Sequence, residues 1–205
     1  MFIPVERLLL RVRQVPARAD ELLALRQRLR GEHAVRAGAE ERAIALELRA
    51  FKLRISEALR AVSSCTRCAT GRRRPRGAFA GGDCCSGVTA DLFSDDEVAA
   101  LAQAGTQPRH LRPPRGEHAG CAFRGELGCT LTPAHRPERC VHYTCSLLRR
   151  ELATRGELAP IDTLLDELAR LMARFVTLRG ERLADELFAP LEAALGLARS
   201  AIERR

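Results

Sequence analysis

The sequence contains no tryptophan and a single tyrosine, and aromatic residues make up 4% of it. A core without large rings must be filled by Leu, Ala, Val and Ile, which favours helices over sandwiches. Lysine is almost missing too: of 34 basic residues only Lys52 is a lysine, leaving 33 arginines. A bias this complete reads as genomic base composition, so the formal net charge of +8 is thin ground for a nucleic-acid or membrane partner. No apolar run approaches membrane-spanning length. The apolar start from Met1 to Val15 is broken by Glu6, Arg7, Arg11 and Arg13, so no signal-like segment is expected there. The expectation is a cytoplasmic chain, in which disulfides do not persist.

What the flanks lack is equally informative. Residues 1–64 and 146–205 contain no cysteine, and all eight cysteines fall between Cys65 and Cys145. Cysteines serving as small buried hydrophobes should be scattered through helices as well. Their segregation marks a module, and the chain divides into residues 1–62, 63–147 and 148–205 with formal charges of +5, +3 and 0. Four thiolates around a 2+ centre carry −2, so two such centres would cut the net charge from +8 to +4.

The 205 residues, 46% of them hydrophobic, suffice for a real core. In the first segment Asp20 is placed to cap a helix whose Leu22, Leu25 and Leu29 step by 3 and 4 towards Gly31. A second helix is expected from Ile44, Leu48, Phe51, Ile55, Ala58 and Val62, with Glu47, Arg49, Lys52, Arg54 and Glu57 on the solvent face. Together they form a helical hairpin. In the third segment Leu164, Leu168, Leu171, Phe175 and Leu178 make a stripe on a helix begun by Pro160 and Asp162 and closed by Gly180. A last helical stretch over 181–203 is interrupted by Pro190. The fold expected is mainly α, with helical hairpins flanking an irregular, loop-rich cysteine-cluster metal module.

Inside the module the Gly/Pro-rich stretches 71–83 and 107–120 read as loops, and Ser94-Asp95-Asp96-Glu97 reads as a capping box. The cysteines are C-x2-C at Cys65 and Cys68, an adjacent pair at Cys84 and Cys85, then Cys121, Cys129, Cys140 and Cys145. Soft thiolates select zinc or iron-sulfur centres over hard cations, so all eight are candidate metal ligands. Adjacent cysteines project in different directions from extended backbone, so Cys84 and Cys85 are awkward on one tetrahedral ion. Of the histidines in the module, His142 lies between two cysteines and is the best additional ligand; His110, His118 and His135 are expected in solvent or supporting positions. Arg136 is placed to bond a thiolate or a carbonyl, and Pro137 to stiffen the approach to Cys140.

The stretch Cys121-AFRGELG-Cys129-TLTPAHRPER-Cys140-VHYT-Cys145, with Arg136-Pro137 ahead of Cys140 and Tyr143 ahead of Cys145, resembles the second half of the YkgJ-type cysteine-cluster family. Gly82-Asp83-Cys84-Cys85 resembles its Gly-x-Cys-Cys element. The resemblance covers roughly residues 65–146 and implies a zinc- or iron-chelating domain, mostly of unknown physiological role, with the flagellin lysine methylase among the relatives. The family pattern runs Cys-x2-Cys-Gly-x-Cys-Cys without a gap, which would place cysteines at Ala78 and Gly81; here the C-x2-C lies further upstream.

Two other classes of function fit parts of the sequence. A zinc-stabilised adaptor would bind a protein partner through the helical flanks, or nucleic acid through Arg72-Arg73-Arg74-Pro75-Arg76; that short run lacks an aromatic stacking set, and nucleic acid is not the expected partner. A metal-dependent modifying enzyme would need catalytic groups, yet no Ser/His/Asp set, paired-carboxylate motif or phosphate loop is present. The expectation is therefore a metal-binding protein holding zinc or an iron-sulfur cluster, more a redox or metal-handling protein than an enzyme.

Overall fold

A computed structural model describes residues 18–63, 89–114, 121–125 and 128–203, the last thirteen of these by backbone alone. Cys65, Cys68, Cys84 and Cys85, the arginine run 72–76 and His118 lie outside the described residues. The protein is mainly helical.

Helix α1 (Arg18–Ala34) presents Leu22, Leu25 and Leu29 inward and runs through Gly31. Helix α2 (Ala39–Ala58) buries Ile44, Leu48 and Ile55 as the spacing predicts. A short α3 (Thr89–Leu92) precedes α4 (Asp95–Gln103), whose N-cap Ser94 accepts a hydrogen bond from the Glu97 amide at 3.3 Å. After a 3-10 turn at Pro108–His110 come β1 (Arg124–Gly125) and β2 (Gly128–Cys129), an antiparallel pair. A second 3-10 turn (Pro133–His135), α5 (Glu138–His142), α6 (Ser146–Thr154) and α7 (Leu158–Glu203) complete the order.

Two apolar clusters hold these elements. One joins Ile44, Leu48 and Ile55 of α2 with Leu148 and Leu152 of α6 and with Ile161, Leu165, Leu168 and Phe175 of α7. The other joins the α1 leucines to Phe93, Val98, Leu101, Leu111, Phe123 and Leu131. Helix α4 lies between them, giving Ala99 and Ala100 to the first and Val98, Leu101 and Ala102 to the second. It thereby ties the helical flanks to the cysteine-bearing segment. Phe93 and Phe123, the two aromatic rings of the second cluster, meet with centroids 5.5 Å apart, tilted by 51°.

The carboxyl-terminal expectation needs correction. Gly180 does not end a helix and Pro190 does not interrupt one: α7 is continuous over 46 residues. Tertiary anchoring overrides the propensity of Gly180, because Arg179 bridges Glu32 and Asp96 and Arg182 pairs with buried Glu41 on either side of it. Asp162 caps nothing; it receives a two-pronged ion pair from Arg149 of α6 at 2.8 and 3.0 Å. No described helix is long and apolar enough to cross a membrane.

Candidate metal centre

Local backbone chemistry links the turn that carries Cys121 to the strand that carries Cys129. Arg124 pairs with Cys129 and Gly125 with Gly128 in the β1–β2 ladder, the Arg124 amide donates to the Cys121 carbonyl at 2.9 Å, and the Thr130 amide to the Phe123 carbonyl at 3.0 Å. Two glycines permit this turn. Gly128 has φ 99°, a region where a side chain is strained, and a Cβ at Gly125 would meet the Pro114 Cβ at 2.7 Å. Thr89 pins the approach from the other side, donating to a Glu21 carboxylate oxygen at 2.6 Å and accepting the Ala122 amide at 2.8 Å.

Cys121 is buried in the second cluster, and Cys129 and Cys140 pack against that same cluster. Burial pushes the Cys121 thiol up to about 11; the Phe123 amide opposes this, Cys129 adds to it as a second negative centre, and Thr89 opposes it again. At neutral pH Cys121 is therefore a protonated thiol, the reverse of an activated nucleophile. A bound cation would release that proton, since a coordinating thiol is deprotonated outright. Cys145 packs against the first cluster, and its sulfur caps α6 by accepting the Leu148 amide at 3.5 Å. The four described cysteines are not joined in disulfides.

The loop that delivers Cys140 is held by two buried charged side chains. The Lys52 ammonium donates to the Arg136 carbonyl at 2.8 Å, and the Glu97 carboxylate accepts the amides of Glu138 at 2.9 Å and Arg139 at 3.1 Å, the first two of α5. Lys52 is 3% exposed and Glu97 7%. Burial lowers Lys52 to about 8, opposed by the charges of Glu97, Glu138 and Cys140. Burial likewise raises Glu97, opposed by its two amide donors and by Lys52. Arg136 itself donates to the Leu131 carbonyl at 2.9 Å, one of the two acceptor types its position suggests.

Both buried groups correct the sequence expectation. The spacing puts Lys52 on the solvent face of α2, but the turn 133–135 and α5 pack against this helix and cover that side. The sequence predicts a reciprocal capping box with Glu97; only the Ser94 half forms, and the Glu97 carboxylate caps α5 instead.

The described histidines have partners of their own. His33 Nε2 donates to the Thr106 carbonyl at 2.7 Å, His135 Nδ1 meets the Thr106 hydroxyl at 3.0 Å, and His110 stacks on His135 at 4.2 Å. Parallel rings cannot both point a nitrogen at one ion. His142 lies 3.9 Å from the Glu138 carboxylate.

Among the described residues no group of three or more His, Cys, Asp or Glu side chains is arranged to hold a metal ion. Comparison of the chain with protein-family profiles, curated proteins and solved structures gave no match.

Proposed function

We propose that the protein holds a zinc ion or an iron-sulfur centre through Cys121, Cys129 and Cys140, completed by cysteines from Cys65, Cys68, Cys84 and Cys85, with Cys145 near the same chain segment. The observation that supports this reading is that Cys121 lies in one apolar cluster and Cys129 and Cys140 pack against that same cluster, although seven and ten residues separate them. The chain's own groups would shape the site: the Gly125–Gly128 turn orients Cys129, and Lys52 and Glu97 fix the backbone ahead of Cys140. Unequal spacing of the sulfurs is more comfortable for an iron-sulfur cluster than for a zinc ribbon.

The resemblance to the YkgJ-type family agrees with this reading. A metal centre of this kind would serve redox sensing, electron transfer or metal handling; an adaptor would carry colourless, redox-inert zinc. Anaerobic purification, elemental analysis and absorbance spectroscopy test the proposal together. Stoichiometric zinc, or iron with sulfide and a visible chromophore, supports it; folded protein without either metal refutes it.

A further inference from the structure

Two histidines outside the proposed metal centre meet at the base of the cysteine-bearing stretch. His110 ends the first 3-10 turn and His135 the second, and their rings stack with centroids 4.2 Å apart and planes 12° from parallel. Along the chain these turns stand on either side of Cys121 and Cys129, and the second leads through Arg136 into Cys140. Both rings are half-buried. Thr106, fully buried, meets His135 through its hydroxyl and His33 through its carbonyl.

Hydrogen bonding fixes the charge state of the pair. The Gln107 amide donates to His110 Nδ1 at 3.0 Å, so that nitrogen presents a lone pair and the ring is neutral. A proton there would set one donor against another. The surrounding charges oppose it as well, with Arg49 and Lys52 acting from α2 and Arg109 and Arg112 from beside the first turn. Arg49 is held in place by the Ala104 carbonyl at 3.0 Å. The neighbouring carboxylates have other partners: Glu97 and Glu138 act on Lys52, and Glu32, next to His33 in the chain, pairs with Arg179. Burial first, and then neighbouring positive charge, lowers both rings, His135 to about 4.

We propose that the His110–His135 stack is an acid-sensitive clasp, closed while both rings are neutral, which parts on protonation and frees the strap 136–140 from α2 before the helical body unfolds. The open form binds the proton more readily than the closed one, so falling pH favours opening. The clasp acts on this strap whichever centre the thiols hold.

Hydrogen exchange on the full chain, corrected for the intrinsic effect of pH, tests this at the Glu138 and Arg139 amides, which Glu97 accepts. Between pH 6.5 and pH 4.5 their protection is expected to fall about ten-fold or more, and to stay below that of the Leu48 and Leu168 amides in α2 and α7. His110→Phe with His135→Phe keeps two stacked rings that cannot take a proton, and its protection should change by about three-fold or less, with circular dichroism verifying helix content. His135→Gln, which removes one titrating ring, should fall between the two. Wild-type protection that does not change with pH overturns the proposal, as does a strap that exchanges only together with Leu48 and Leu168. A loss undiminished in the double variant, or in His135→Gln where the double variant does not fold, assigns the proton to Glu97 or elsewhere and overturns it too.

Discussion

Lys52 and Glu97 hold the same four residues, the lysine through the Arg136 carbonyl and the glutamate through the Glu138 and Arg139 amides. Each is buried, each feels the other's charge, and each spends its polar atoms on the backbone leading into Cys140. A loop so held has little freedom to reposition its cysteine, which suits a ligand that must be aimed before a metal arrives.

Removing the glutamate should therefore be costly. Glu97→Ala strands two backbone donors at the start of α5 and leaves Lys52 as a buried charge with one fewer partner. A loss of roughly 2–3 kcal/mol in chemical denaturation is expected. Glu97→Gln, which keeps one acceptor, should lose less, and equal losses for the two would contradict the capping role.

The turn glycines supply a second test. Gly128→Ala forces a side chain onto φ 99° and should cost about 1–2 kcal/mol. Because β2 carries Cys129, the same variant should bind less metal per chain than wild type. Elemental analysis beside a denaturation curve separates the two effects.

Gly180→Ala should act in the opposite direction. A Cβ there meets nothing within 4 Å, and the position lies inside a continuous helix, so alanine should stabilise by about 0.5–1 kcal/mol. Were Gly180 a left-handed terminator the substitution would destabilise, and a melting curve reads the sign directly.

Alkylation should rank the thiols. With Cys121 pushed up to about 11 and only 6% exposed, iodoacetamide at pH 8 should modify it more slowly than half-buried Cys129 or Cys145 in metal-free protein. Peptide mass spectrometry over a time course measures the order. Metal should protect Cys129 and Cys140 as well, and full reactivity of both in metal-loaded protein would count against ligation.

Acid should weaken the fold through His135. Burial first, then the charges of His110, Arg49 and Lys52, lower it to about 4 from an ordinary value of 6.5. The unfolded chain therefore binds the proton more readily, and the contribution is intact above pH 6.5 and lost as pH falls through 4. Denaturation midpoints at pH 7 and pH 4.5 should differ more for wild type than for His135→Gln.

Periodicity revealed α1 and α2, because each hides a stripe at helical spacing, Leu22, Leu25 and Leu29 in α1 and Ile44, Leu48 and Ile55 in α2, and the capping residues Ser94 to Glu97 revealed α4. It did not reveal α6, where Leu148 and Leu152 follow directly on Cys145 and the cap is a sulfur. Lys52 escaped notice for a physical reason: it borders the apolar stripe of α2, and what covers that border is a loop more than 80 residues away. Glu97 escaped because a carboxylate suited to a local cap was recruited by a distant one. In the candidate site, composition singled out the cysteines, and tertiary packing alone places Cys121, Cys129 and Cys140 on one cluster and Cys145 on the other.

The burial of Lys52 gives the molecule a built-in reporter. As the chain's single lysine, it is its one side-chain amine, and it lies beneath the strap that carries Cys140. Amine-directed reagents can acylate that side chain only when the strap lifts, so their rate at Lys52 clocks the opening of the cysteine-bearing segment without any engineered label.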